Sequence, residues 1–222
     1  KESVFPFNKF IGQDIILSPE MRSTGEVMGL DADLGVAYAK SQMAASSPLP
    51  LEGKVFISVS DAHKDEVPAL AKDFVELGFE LVATIGTAKV IEESGLQVER
   101  ISKLAEGRPN TLDLLKNNEL QLVVNTPSGE VPRSDEVHIR TSAVYTGTPI
   151  MTTLSSAKAA VNGIRAFNIS SIESSHVWHS VKRDTHGDLQ LRRGHVDARD
   201  TFRHRVFNLQ TRVQFQKEVF VR

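Results

Sequence analysis

The chain has 222 residues, 40% of them hydrophobic and 24% charged, with a net charge of −2. That is enough to bury a core, too apolar for wholesale disorder and too neutral overall for a nucleic-acid footprint. No apolar run approaches the length of about 18 residues that a spanning helix needs, and the absence of cysteine excludes disulfides, thiolate metal sites and a cysteine nucleophile. The opening residues, Lys1-Glu2-Ser3-Val4-Phe5-Pro6, contain neither an initiator Met nor a signal-peptide core. A cysteine-free chain of this kind is expected in a reducing compartment, the cytoplasm or an organelle stroma or matrix.

The charge is unevenly spread. Residues 1–166 hold 16 Lys+Arg against 22 Asp+Glu, a net −6, whereas residues 167–222 hold 10 against 6, a net +4. Five of the seven His and the single Trp, Trp178, fall in the second part, and all nine Pro precede residue 150. A softer break is the turn-rich Ser46-Ser47-Pro48-Leu49-Pro50-Leu51. Three pieces are expected: 1–47, 51–166 and 167–222.

In chain order, Asp31–Met43 reads as a helix with Leu34, Tyr38, Met43 and several Ala as its packing face. Lys54–Ser60 is a β-branched strand in which Val55, Ile57 and Val59 alternate. Val67, Leu70, Ala71 and Phe74 then mark an amphipathic helix that Gly78 stops. Glu80–Thr84 is a strand, 87–94 a helix opened by Gly86-Thr87, and Gln97–Ile101 a weaker strand. Pro109–Asn118 reads as a helix with Pro at its start. Leu120–Asn125 is a strand, Asp135–Tyr145 a less cleanly periodic helix, Pro149–Thr153 a strand and Ser155–Ala166 a last helix. Strand and helix alternate five times, which predicts an α/β fold: a parallel five-stranded sheet flanked by helices on both faces.

Such sheets bind ligands outside the carboxyl ends of their strands. The residues there are Ser60, Asp61, His63 and Lys64, then Thr84, Gly86 and Thr87, then Lys103, Glu106 and Arg108, then Asn125, Thr126, Pro127 and Ser128, and finally Thr152 and Thr153. A Gly-Thr helix start offers backbone N–H groups and a positive dipole end to an anion, and Lys64, Lys103 and Arg108 add charge. Singly, each is better explained by capping or surface placement. Their convergence on one edge puts a small phosphorylated ligand on an equal footing with capping.

Longer segments carry a resemblance. Val55–Val59 with Lys64, VATIGTAKVIEESG (82–95), ISKLAEGRPN (101–110), VVNTPSG (123–129) and MTTLSSAKAAV (151–161) resemble the regulatory domain at the C-terminus of the carbamoyl phosphate synthetase large subunit, which has the methylglyoxal-synthase-like fold. VFPFNKF (4–10) and PEMRSTGEVMG (19–29) resemble the end of the second ATP-grasp half of the same subunit. The resemblance covers about residues 1–166 and makes 1–47 the end of that ATP-grasp domain and 51–166 the allosteric domain. It implies a C-terminal fragment of a glutamine-hydrolysing synthetase that serves pyrimidine and arginine biosynthesis. The fragment itself would sense a nucleotide of the UMP or IMP type and have no catalytic residue, metal or cofactor of its own. ATP with Mg or Mn belongs to the parent enzyme, whose partners are the remainder of the large subunit and a small glutaminase subunit or domain.

By resemblance, the effector-binding residues are Lys64, Thr84, Gly86, Thr87, Lys103, Asn125 and Thr126: the lysines and the Gly-Thr turn hold phosphate, and the Asn-Thr strand end faces sugar or base. Thr152 and Thr153 match a strand end with ornithine-side contacts. Pro127 departs from members that carry a second Thr there, and it has neither hydroxyl nor N–H to offer. Arg22 and Glu26 are expected as a structural or interface pair.

The alternative reading is a free-standing lyase of the methylglyoxal synthase type. That chemistry needs carboxylates in the loop after the third strand, and Ala105-Glu106-Gly107-Arg108-Pro109 puts there an Arg that cannot act as a base at neutral pH. The tail, 167–222, is unassigned and basic. Leu209, Thr211, Val213, Phe215, Val219 and Val221 share one parity, a half-buried strand pattern. His176, His179, Asp184, His186, His195 and Asp197 contain metal donors but no diagnostic spacing. Arg192, Arg193, Arg203 and Arg205 add positive charge, but a local net of +4 does not make a nucleic-acid or membrane surface.

Overall fold

The computed structural model describes residues 1–10, 12–104, 106–127, 134–172, 177–183 and 189–195. The chain divides into two compact units, Lys1–Phe167 and Asn168–Arg222.

In the first unit, β1 (Glu2–Val4) and β2 (Gly25–Val27) form a small antiparallel pair. Glu26 of β2 pairs with Lys1 at 2.6 Å and not with Arg22, which corrects the expected pair. Helix α1 (Leu34–Ala44) starts at Asp33, whose carboxylate accepts from the Val36 N–H at 2.9 Å. Its packing face is Gly35, Val36 and Ala39, with Tyr38 against the core as expected; Leu34 is exposed, against expectation. Gly35 is the reason: a Cβ there would lie 2.6 Å from the Asn162 carbonyl oxygen, so only glycine lets the α1 backbone come this close. Residues 1–47 thus share one compact unit with 51–166.

The central sheet comprises β3 (Lys54–Ser58), β4 (Glu80–Thr84), β5 (Glu99–Ile101), β6 (Leu122–Asn125) and β7 (Ile150–Met151), all parallel, in the order β5-β4-β3-β6-β7. Between them run α2 (Val67–Glu76), α3 (Ile85–Glu93), α4 (Thr111–Lys116) and α5 (Ser134–Thr146), with α6 (Leu154–Ile172) after β7. The strands alternate sides with period two. Val55, Ile57, Leu81, Ala83, Leu122 and Val124 meet α2, α3 and α6, while Phe56, Val82 and Val123 meet α4 and α5. The expected α/β sheet with both faces covered is present.

Boundaries shift where side-chain chemistry overrides pattern. Helix α4 begins after Pro109 because Asn110 is its N-cap, accepting from the Leu112 N–H at 3.1 Å, while the Asp113 carboxylate reaches back to the Asn110 N–H at 3.2 Å. Strand β7 has only two residues because Thr153 already caps α6, its hydroxyl accepting from the Ser156 N–H at 3.1 Å. Helix α6 runs past Ala166, across the composition break.

In the second unit, β8 (Val177–Arg183) pairs antiparallel with β9 (Leu189–His195). The 209–221 alternation, Arg203, Arg205, His176, Asp184, His186 and Asp197 lie outside the described residues.

Candidate functional site

The strand order fixes where a crevice forms. From β3 the chain leaves to β4 on one side through α2, and the later strand β6 adds on the other side, with α4 and α5 covering the opposite face. The connections therefore diverge beyond the carboxyl ends of β3 and β6, the place where doubly wound sheets open a ligand crevice. A cavity of about 560 Å³ lies there. Thr126 ties its two banks together: its N–H donates to the Ser58 carbonyl at 3.2 Å and its hydroxyl accepts from the Ser60 N–H at 2.9 Å.

One wall is cationic. Lys64 sits in the 3-10 turn Asp61–Glu66 between β3 and α2, with its ammonium 2.6 Å from the Asp61 carboxylate. Beside it, Gly86 stands in the first turn of α3 and also lines the cavity. A Cβ at Gly86 would lie 3.2 Å from the Lys64 Nζ, so the ammonium rests close against the start of this helix. Thr84, the N-cap of α3, has an extended backbone and makes no side-chain cap bond, which leaves the first-turn N–H groups without that partner. A cation over the positive end of a helix is unfavourable by itself. Asp61 offsets part of that cost, and an anion bound beside Lys64 at the helix start would offset more. Lys103 adds a second cation to the lining.

The opposite wall is mixed. Helix α5 contributes Asp135, Glu136 and Ile139, and Thr111 and Pro127 complete that side. Six of the residues expected at an effector site, Lys64, Thr84, Gly86, Thr87, Lys103 and Thr126, line this one cavity.

The others lie elsewhere. Asn125 is buried off the cavity, its Oδ1 accepting from Arg140 Nη1 at 2.9 Å. Thr152 and Thr153 do not line the cavity, and Thr153 is exposed and spends its hydroxyl on capping α6. Glu106 and Arg108 are exposed and off the cavity, Arg108 lying 3.8 Å from Asp113. Among the described residues no three His, Cys, Asp or Glu are grouped to hold a metal, and no helix is long and apolar enough to cross a membrane.

Arg140 and Asp14 were not legible as partners. The Arg140 side chain is fully buried, its Nε and Nη2 gripping the two Asp14 carboxylate oxygens at 2.7 and 2.5 Å, with Glu136 at 3.9 Å. The available signal is the spacing 136, 139, 140, 143 on α5, an inward helical face on which two of four positions are charged.

Residues 66–152 match the MGS-like domain family. The chain is 52% identical over 173 residues to the carbamoyl phosphate synthase large chain of Rhodopirellula baltica, covering 78% of this chain and 16% of that protein. This chain is a homologue of the C-terminal region of carbamoyl phosphate synthase large chains. The Nostoc large chain is 49% identical over 173 residues, with 78% of this chain and 16% of that one covered. A relative from Oryza sativa, named as an arginine-specific large chain and chloroplastic, is 47% identical over 175 residues, 78% of this chain and 15% of its own. The chain thus spans about 16% of the length of the curated relatives it matches. A methylglyoxal synthase from Elizabethkingia anophelis overlays at a TM-score of 0.43 with 20% identity, over 51% of this chain and 79% of its own.

Proposed function

We propose that the cavity beyond β3 and β6 binds a nucleoside monophosphate, UMP or IMP, and that the chain is the nucleotide-sensing end of a carbamoyl phosphate synthase large chain. The observation that carries this reading is the approach of the Lys64 ammonium to Gly86 at the uncapped start of α3. Phosphate sits at the helix start beside the ammonium, Lys103 supplies the second charge, and the Thr126 side of the cavity takes sugar or base. The sensing end performs no chemistry alone. The complete protein joins bicarbonate, ammonia and two ATP into carbamoyl phosphate for pyrimidine and arginine biosynthesis, in the cytoplasm or an organelle stroma or matrix. The ATP-grasp part upstream binds ATP with Mg or Mn, and a glutaminase subunit or domain supplies the ammonia. A nucleotide regulates that reaction only by binding its active and inactive states unequally.

Titration calorimetry tests the site. UMP or IMP binds, and uridine binds far more weakly because it lacks the phosphate. A hydrogen bond to a charged group is worth about 1.5–3 kcal/mol, so Lys64→Ala weakens binding roughly 10- to 150-fold. Thr87→Ala costs less, since its backbone N–H survives. Equal affinity for uridine and UMP, or an unchanged affinity after Lys64→Ala, rejects the reading.

A further inference from the structure

We infer that Arg140 couples this cavity to the segment around Asp14, so that a nucleotide in the cavity and the seating of Asp14 strengthen each other. The inference rests on the nucleotide reading and adds to it a route out of the site. The Arg140 guanidinium is shared between two directions. Its Nε and Nη2 hold Asp14, a residue 126 positions upstream, and its Nη1 holds the carbonyl of Asn125. Neither Asn125 nor Arg140 lines the cavity, but each is joined in the chain to a residue that does. Asn125 is followed at once by Thr126, and Arg140 follows Ile139 on α5, which lines the cavity together with Glu136 one turn earlier.

Three properties make the link stiff. The Arg140 side chain has no exposed surface, so water cannot replace a partner that moves away. The guanidinium is planar, so its bonds to Asp14 and Asn125 share one orientation and shift together. Asn125 must turn its carbonyl to the guanidinium, which leaves its Nδ2 as the buried side-chain polar atom without a partner among the described residues. A ligand that draws Thr126 toward itself therefore moves Asn125, and with it the group that holds Asp14. Linkage makes the effect reciprocal: whatever loosens Asp14 weakens the ligand by the same factor.

The Ile15 N–H reports the Asp14 end, because it donates to Asp14 Oδ1 at 2.7 Å, the same oxygen that receives Arg140 Nε. Two measurements on the full chain test the link, with UMP or IMP, whichever binds more tightly, as the probe. Saturating nucleotide slows hydrogen exchange at Ile15 threefold or more in the unaltered chain. Asp14→Asn, which keeps shape and removes charge, weakens the same nucleotide threefold or more. A smaller effect in either measurement, with the unaltered chain binding normally, overturns the link and leaves the nucleotide site standing. If neither nucleotide binds the unaltered chain, both readings fall. The exchange measurement decides alone should Asp14→Asn fail to fold.

Discussion

Asn125 turns its side-chain carbonyl to Arg140, 2.9 Å from Nη1, in a place closed to solvent, so the last residue of β6 is an anchor for α5 and not a wall of the cavity. Its neighbour Thr126 reaches the cavity instead. Successive residues at a strand end point to opposite sides, and one of this pair serves the packing while the other serves the site.

This arrangement orders two stability losses. Arg140→Met takes from the Asp14 carboxylate its charged partner and from the Asn125 side-chain carbonyl its donor. Removing one partner of a buried pair costs about 3–5 kcal/mol, and the partial exposure of Asp14 puts this case near the lower figure. Asn125→Ala deprives Arg140 of one bond but also removes the unpartnered Nδ2, so its cost is near 1 kcal/mol, the lower end for a lost buried hydrogen bond. Urea denaturation of the two variants reads the difference; an equal or reversed order contradicts the anchor role.

Gly86→Ala separates binding from stability. Its Cβ meets the Lys64 ammonium at 3.2 Å and displaces it by a few tenths of an ångström. Alanine is about 1 kcal/mol better than glycine inside a helix, so the fold is no less stable. Nucleotide affinity nevertheless falls, by less than about tenfold, because only part of one charged hydrogen bond is lost. Calorimetry and a thermal melt on the same sample expose the opposite signs.

Tyr38 gives the chain an alkaline limit. Burial pushes its phenol up to about 12, with the Glu2 charge adding to the effect, and its hydroxyl lies 3.7 Å from Met151 Sδ. The unfolded phenol ionises near pH 10. The folded chain keeps a proton that the unfolded chain releases, so this contribution to stability is complete below pH 10 and is lost as pH rises toward about 12. Denaturation midpoints of the parent and of Tyr38→Phe, compared across that range, converge as the parent loses the contribution; a constant gap contradicts it.

The strands and the α2 face were legible because their signal is local. Val55, Ile57, Leu81 and Ala83 alternate with Phe56 and Val82, and Val67, Leu70, Ala71 and Phe74 repeat at helical spacing. Element ends were less legible, because they depend on which side chain takes a particular N–H, as Asn110 and Thr153 do. Helix α1 was legible through Tyr38 and its Ala residues but misjudged at Leu34, since apolar spacing favoured that residue while the contact is made by the small Gly35, whose value lies in the missing Cβ.

By itself the sequence determined the alternation of strands and helices, and with it the sheet edge on which Lys64, Gly86, Thr87, Lys103 and Thr126 gather, because chain connectivity places every strand's carboxyl end on that edge. Only the tertiary structure decided which of the edge residues share a cavity and which cap or anchor. Asn125, Arg140 and Asp14 show the reason: a buried charge is tolerable only with its counter-charge, and here the partner comes from a residue 126 positions away, a distance at which no periodicity or spacing speaks.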